Sequence, residues 1–184
     1  MGDLKFPSVT KVLERYSPYG NIRQSVLEKA QVRGTAVHSA CFTICRGLPL
    51  LPEPPEGYLL RIESFQRWFD ANVDEVLEIE PELVDSKLRF LGHPDLILVC
   101  KNLGLCLADI KTAEAHQPIW VSQLSAYFSL TQTHGYAIDR VFSLMLDSGG
   151  GLPKIVPLEH PGKHFSGFFH ALMAHHYFTG MEVI

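Results

Sequence analysis

The sequence predicts an α/β domain in which a mixed sheet, containing an antiparallel meander, is flanked by helices. Helical periodicity dominates residues 1–75, whereas short runs rich in Val, Ile and Leu, bounded by turn residues, follow from there. A helical stretch then separates the meander from two further strands, which is typical of a crossover connection. The predicted order is αβββαβ.

Turn residues and apolar spacing give approximate limits for each element. Ser8 can cap a first helix, Gly34 could break the second, and the proline-rich stretch 48–57 must be an irregular loop. Helices are expected at about 9–15, 21–46, 59–72, 118–133 and 163–178, with a turn at 17–20. Strands are expected at about 75–84, 88–100 (interrupted at 92–94), 105–111, 140–146 and 154–158, with turns at 85–87, 101–104 and 148–151.

The chain shows no internal repeat and no second hydrophobic unit. We therefore expect one domain over residues 1–184, with a helical part (1–75), a sheet with its crossover helix (76–158) and a final helix (159–184). No apolar stretch reaches the roughly 18 residues of a membrane span, and the first residues resemble no secretory signal, so no membrane association and a cytoplasmic location are expected.

Charge is unevenly distributed. The net charge is −4, yet residues 1–35 carry six Lys/Arg against three Asp/Glu, a balance of +3, which leaves −7 for the remainder. A basic segment beside an acidic body suits an enzyme whose carboxylates hold cations while another face meets phosphates, but on charge alone a solvated helix surface is the better explanation.

The four cysteines predict reduced thiols. Cys41 and Cys45 share a helix face with His38, but their spacing matches no common zinc site. No iron–sulfur cluster is expected, because the last 78 residues contain no cysteine. Five histidines near the C-terminus have no consistent ligand spacing and are expected at the surface or an interface: His160, His164, His170, His175 and His176.

A charged pair ends an otherwise apolar predicted strand. Asp109 and Lys111 are two residues apart and therefore project from the same face, with Ile110 buried behind them. Asp95 lies one hairpin earlier, in Gly92-His93-Pro94-Asp95. A three-residue loop centred on Asn102 would place Asp95 directly across from Asp109, whereas a two- or four-residue loop would turn it to the opposite face. We predict an odd-length turn or a bulge.

Two aligned carboxylates repel each other, and a hard divalent cation such as Mg²⁺ or Mn²⁺ would relieve that repulsion. Such a cation polarises a phosphodiester and activates its bound water, while a protonated lysine steadies the developing charge. A surface hairpin with an ordinary Asp–Lys ion pair is the alternative that the short D-x-K motif alone would favour.

Five segments together resemble the PD-(D/E)XK nuclease superfamily, and within it the RecB-like and phage-type exonuclease branch. They occur in the family's order across residues 33–127: Arg33-Gly34-Thr35-Ala36-Val37-His38, Glu80, Gly92-His93-Pro94-Asp95, Asp109-Ile110-Lys111-Thr112 and Gln123-Leu124-Ser125-Ala126-Tyr127. The segment Pro7-Ser8-Val9-Thr10 is also compatible. The resemblance implies a restriction-endonuclease-like core.

The resemblance also implies roles for individual residues. Metal ligands would be Asp95 and Asp109, the backbone carbonyl of Ile110, His38, and Glu80 directly or through water; Glu78 and Glu82 share the strand face of Glu80 and compete with it. Lys111 would be the catalytic lysine. Substrate contacts would come from Gln123, Tyr127, Arg33, Thr112 and Trp120, the last of which could stack on a base or simply pack in the core.

The resemblance therefore predicts a Mg²⁺- or Mn²⁺-dependent deoxyribonuclease, most simply an exonuclease in DNA recombination, repair or phage DNA processing. DNA would be its partner, and a homo-oligomer, helicase or recombinase are further candidate partners. A non-catalytic DNA-binding or assembly subunit is the main alternative, and a sequence-specific endonuclease a weaker one.

Overall fold

The computed structural model describes residues 6–17, 23–51 and 54–181. The expected turn at 17–20 lies outside the described residues, apart from Ser17. The helices are α1 (Val9–Leu13), α2 (Gln24–Cys45), α3 (Glu56–Asn72), α4 (Ile119–Thr133) and α5 (Pro161–Thr179), with a 3₁₀ turn at Glu14–Tyr16. The strands are β1 (Val73–Ile79), β2 (Leu83–Asp85), β3 (Phe90–Gly92), β4 (Leu96–Cys100), β5 (Gly104–Lys111), β6 (Arg140–Met145) and β7 (Lys154–Pro157).

Five strands form one mixed sheet in the order β1-β4-β5-β6-β7. The β1–β4 and β4–β5 pairs are antiparallel, β5 and β6 are parallel, and β7 returns antiparallel to β6. Helix α4 is the crossover that the parallel pair requires. The predicted α/β class, the antiparallel meander and the crossover helix are thus confirmed.

The long strands expected at 75–84 and 88–100 are each interrupted. The first ends at Ile79, because Glu80 has a positive φ of 52° and Pro81 has no N–H for the ladder. The intervening segments pair with each other as a separate hairpin, β2 with β3. Gly34, in contrast, does not interrupt α2, which is continuous.

Side-chain alternation along β4 and β5 divides the apolar interior into two layers. Leu96, Leu98 and Ile110 pack with α2 and α3 on one face, whereas Ile97 and Leu107 pack with α1, α4 and α5 on the other. Odd-numbered positions of β5 therefore face α4, and these include Asp109 and Lys111. None of the described helices has the length and apolar character needed to cross a membrane.

The expectation that the C-terminal histidines lie at the surface is wrong for His176. Its side chain is buried, and its Nε2 lies 3.0 Å from the carbonyl oxygen of Leu88. This hydrogen bond joins the end of α5 to the β2–β3 hairpin, a tertiary contact that the spacing of histidines cannot indicate. His160, His164 and His170 are exposed, and His175 is half-buried.

The turn between β4 and β5 gives a stability test with a matched control. Gly104 has φ +78°, and a Cβ there would lie 2.3 Å from Asp139 Oδ2, which accepts a hydrogen bond from Leu105 N–H. Gly135 has φ +84° and open space around it. We expect Gly135→Ala to cost about 1 kcal/mol from backbone strain alone, and Gly104→Ala about 1 kcal/mol more because Asp139 must move. Urea denaturation measures both; equal losses would contradict this role of Asp139.

Candidate active site

The β4–β5 hairpin aligns the two predicted carboxylates. Its pairs run from Leu96 with Ala108 to Cys100 with Gly104, which leaves a three-residue loop, Lys101 to Leu103. Asn102 at φ 63° and Gly104 at φ 78° supply the left-handed residues of the turn. One step beyond the first pair, Asp95 stands opposite Asp109 on the face toward α4. The register predicted from the sequence is confirmed.

Asp95 connects three parts of the chain. Its Oδ2 accepts a 2.6 Å hydrogen bond from the backbone N–H of Ile110 on the neighbouring strand. Its Oδ1 lies 3.4 Å from Nδ1 of His38 on α2. Its backbone carbonyl accepts a 2.9 Å hydrogen bond from Glu80 N–H at the end of β1. The carboxylate is therefore fixed by the backbone, with one oxygen left facing His38.

Asp109 is buried more deeply, with 2% of its surface exposed. Its Oδ2 forms an ion pair with the ammonium of Lys111, yet that buried oxygen accepts no hydrogen bond of good geometry from the described residues. Burial raises the pKa of Asp109 and the nearby Asp95 adds to this, against the opposing charges of Lys111 and His38. A buried oxygen in this condition favours a cation close to it.

His38 is subject to opposing effects. Burial lowers its pKa, but the negative charge of Asp95 and the contact with that carboxylate outweigh burial, so that its pKa is raised overall. The imidazole of His38 therefore interacts favourably with the negative charge of Asp95 and Asp109.

Helix α4 holds Lys111 in place. Lys111 Nζ donates a 2.8 Å hydrogen bond to Oε1 of Gln123, and Nε2 of Gln123 donates to the hydroxyl of Tyr127 at 3.2 Å. The ammonium also lies 5.1 Å from the centre of the Trp120 ring, within the range of a cation–π contact. Burial, and then Asp109 and Asp95, raise the pKa of Tyr127, so that its hydroxyl stays protonated.

Gly92 allows α4 to approach this closely. A Cβ at that position would lie 2.8 Å from both the Tyr127 ring and the Leu130 side chain. Close packing against α4 therefore explains why a glycine stands at the start of the Gly92-His93-Pro94-Asp95 segment. Its lack of a side chain allows the β3 backbone to lie close to the helix that carries Gln123.

Glu80, the residue that directly follows β1, is the acidic residue of this region that lines the site. Glu78 accepts a hydrogen bond from the Tyr136 hydroxyl, and Glu82 pairs with His93 at 3.3 Å. Glu80 is exposed and has a left-handed backbone where the strand ends, and it lines the same cavity as His38.

A cavity of about 280 Å³ contains most of the predicted residues. It is lined by His38, Glu80, Asp95, Asp109, Lys111, Gln123 and Tyr127, together with Gly92 and His93 and with Ser8, Val9 and Thr10. No role was assigned from the sequence to Ser8, Val9 or Thr10. They reach the cavity because Pro7 and Ser8 lie beside Leu91 of β3, a long-range contact whose only signal was the family-compatible Pro7-Ser8-Val9-Thr10 segment.

Three residues predicted to contact substrate lie outside this cavity. Trp120 is buried, with its ring near Lys111 and His116, so its face is not open to a base in this conformation. Arg33 does not line this cavity, and its buried Nε has no hydrogen-bond partner among the residues that the structure describes. The backbone carbonyl of Thr112 accepts a 3.3 Å hydrogen bond from Nε of Arg61. The side chain of Ile110 packs in the opposite core, as expected.

Arg61 is a residue near the site that the sequence did not reveal. This α3 side chain is buried, and besides contacting Thr112 it pairs with Glu114. It therefore fixes the segment that directly follows Lys111. Only the three-dimensional packing of α3 against the end of β5 places it there.

The carboxylate oxygens of the site are ligands that suit a hard divalent cation, but they do not form a complete coordination sphere in this structure. Among the residues that the structure describes, no three His, Cys, Asp or Glu side chains form a ready metal-binding group. Two carboxylates lie on neighbouring strands, Asp95 with Oδ1 near His38 and Asp109 with Oδ2 paired to Lys111, and carboxylate oxygens are the ligand type that Mg²⁺ and Mn²⁺ prefer. The residues thus fit such an ion chemically, with Lys111 neutralising Asp109 in the conformation described.

Comparison with known proteins gives similarity at the level of structure. No family model matches the sequence, and no curated protein matches it. Among solved structures, it is similar to an alkaline exonuclease (LHK-Exo) from Laribacter hongkongensis, with 11% identity, a TM-score of 0.45, and coverage of 96% of this chain and 92% of that one. The structure of LHK-Exo in complex with dAMP gives 13% identity, a TM-score of 0.41 and the same coverage. With TM-scores below 0.5, neither name is carried over to this chain.

The left-handed backbone of Glu80 gives a prediction that is independent of activity. Glycine adopts this conformation without the steric penalty of a Cβ. We expect Glu80→Gly to be more stable than Glu80→Ala by about 1 kcal/mol, a reversal of the usual order within a strand. Chemical denaturation of the two variants measures this difference. If alanine proved the more stable, Glu80 would not hold a left-handed conformation in solution.

Proposed function

We propose that this protein is a Mg²⁺- or Mn²⁺-dependent deoxyribonuclease, acting as an exonuclease, with a PD-(D/E)XK site formed by Asp95, Asp109 and Lys111. The observation that carries the proposal is the alignment of two buried carboxylates from neighbouring strands with a lysine two positions beyond the second, whose ammonium pairs with Asp109. DNA recombination, repair or phage DNA processing are the settings in which such an enzyme would act, alone, as a homo-oligomer, or with a helicase or recombinase.

The chain's own groups have distinct tasks in this proposal. Asp95 and Asp109 hold the cation, with His38, Glu80 and the Ile110 carbonyl beside them. When bound, the cation supplies Lewis-acid polarisation of the phosphodiester and offsets its negative charge.

Lys111 is the positive group nearest to the carboxylates, and it stabilises the charge that develops on phosphate. Gln123 supports it, because the amide oxygen holds the ammonium while the amide nitrogen is anchored by Tyr127. Gln123 thus keeps the ammonium beside the carboxylates, where charge would develop on the phosphate, and such positioning favours electrostatic catalysis.

A non-catalytic DNA-binding or assembly subunit is the second candidate. It is favoured by the ion pair between Lys111 and Asp109, together with the lack of a three-ligand group among the described residues. In such a protein the same charges would serve as a structural pair, and added metal would change nothing.

Substitution of the central residues distinguishes these two functions. We expect Asp109→Ala and Lys111→Ala each to reduce metal-dependent degradation of labelled single- and double-stranded DNA by at least about 10²- to 10³-fold, because each removes charge stabilisation at the reacting phosphate. Lys154→Ala, on an exposed edge-strand position, is the charge-matched control. Circular dichroism establishes that the fold is retained. A purified, folded Lys111→Ala protein with full activity would refute the assignment of Lys111.

Metal binding has a readout that does not involve cleavage. A cation that binds only the folded state raises the stability, by about 2.7 kcal/mol at one hundred times its dissociation constant. We expect Mn²⁺ to raise the melting temperature of the wild-type protein, and to have no such effect on Asp95→Asn or Asp109→Asn. An identical shift in all three proteins would place the ion elsewhere.

A further inference from the structure

A second cavity, of about 470 Å³, opens directly beside the first. We call it the α2 groove. It is lined by Thr35, Ser39, Phe42 and Arg46 on one side of α2 and its end, and it shares His38 and Glu80 with the candidate active site. Because the two cavities have these residues in common, a polymer with one unit at the carboxylates has a continuous path into the groove.

The groove changes in charge along its length. Its inner end, at Glu80 and His38, belongs to the acidic site that would hold a cation. Its outer end is Arg46, whose exposed guanidinium forms no ion pair with any described residue. Eight residues of helix separate His38 from Arg46, a distance of about 12 Å along the axis. A cation at that distance suits a phosphate other than the one that reacts.

Between these ends, the groove surface is of a kind that holds a nucleic-acid backbone. The hydroxyls of Thr35 and Ser39 are exposed, and they lie one helical turn apart on the same face. Hydroxyls and guanidinium groups are the common partners of phosphate oxygens. Phe42 and His38, with ring centres 5.9 Å apart, add an aromatic edge to the wall.

We propose that the α2 groove binds a single strand of nucleic acid, with Arg46 pairing with a phosphate away from the reacting one. The assignment rests on the proposed function, which it deepens by naming the form of the substrate. Among the described residues that line the groove, Arg46 is the single arginine or lysine, so the groove offers this partner to the phosphates of one backbone. Backbone contact without base readout implies that the strand is held regardless of its sequence.

The position of Arg46 has a simpler explanation that must be separated experimentally. Arg46 is the C-cap of α2, where a positive charge stabilises the helix through its dipole. That role predicts a loss of thermal stability on substitution and no change in the salt dependence of DNA binding.

The test is binding of a fluorescent single-stranded oligodeoxynucleotide, followed by anisotropy at several salt concentrations in EDTA, so that cleavage plays no part. We expect Arg46→Gln to weaken binding about 3- to 10-fold and to reduce the salt slope by about 0.7, the value for one phosphate contact on a single strand. Arg67→Gln is the matched control, since Arg67 lies exposed on α3 and lines neither cavity. An unchanged salt slope for Arg46→Gln would overturn the proposal.

A second variant tests the groove without altering the helix end. Ser39→Glu places a negative charge at an exposed position in the middle of the groove, and we expect it to weaken single-strand binding at least as much as Arg46→Gln does. Ser166→Glu, at an exposed position of α5, is the control for added charge. Equal binding of the single strand by Ser39→Glu and Ser166→Glu would also overturn the proposal. If Ser39→Glu and Arg46→Gln lost as much affinity for a blunt duplex as for the single strand, the single-strand assignment would be overturned.

The two proposals fail separately in these experiments. The protein could bind single-stranded DNA in EDTA in a way that depends on Arg46, and yet cleave no DNA with Mg²⁺ or Mn²⁺. That result would support the proposed binding groove and contradict the proposed nuclease activity. Metal-dependent cleavage, together with DNA binding that is unchanged by substitution of Arg46 or Ser39, would support the nuclease activity and contradict the binding groove.

Discussion

The register of the β4–β5 hairpin is the constraint on which the rest of the site depends. Side chains alternate along a strand, so a slip of one residue would turn Asp95 toward α2 and α3, into the apolar layer of Leu96 and Ile110. The three-residue loop, with left-handed Asn102 and Gly104, excludes that slip. The hydrogen bond from Ile110 N–H to Asp95 then joins the carboxylate to the very strand that carries Asp109.

This alignment concentrates negative charge in a buried place, which is unfavourable unless other groups offset it. The chain supplies three kinds of compensation: a backbone donor to Asp95, the imidazole of His38, and the ammonium of Lys111. Asp109 Oδ2 has the Lys111 ammonium as its partner, but it accepts no hydrogen bond of good geometry from the described residues. A site of this kind is stable enough to fold, and it retains an attraction for additional positive charge.

The sequence could predict the parts of this site that follow from local rules. Alternation along β5 places Asp109 and Lys111 together, an odd-length turn between the strands would align Asp95 with Asp109, and i, i+4 spacing joins Gln123 to Tyr127. These rules concern near neighbours, or strands joined by a tight turn, where geometry leaves few choices.

These local rules could not predict residues that reach the site from distant parts of the sequence. Arg61 reaches the segment after Lys111 only because α3 packs against the end of β5, and Ser8 and Thr10 reach the cavity only because the N-terminal segment lies beside β3. The burial of His176 has the same kind of origin. In each case the deciding partner is more than 50 residues away in sequence, so no local pattern records the contact.

Glu80 shows how one strained residue can serve both the fold and the site. Its left-handed backbone ends β1 and diverts the chain into the β2–β3 hairpin, which returns as Gly92-His93-Pro94-Asp95. Its N–H is bonded to the carbonyl of Asp95, and its side chain lies where the two cavities meet. A glycine would make this turn with less strain but would contribute no carboxylate. At this junction Glu80 combines a strained backbone with the one carboxylate among the described residues that lines both cavities, which is the combination expected if the side chain serves the proposed site.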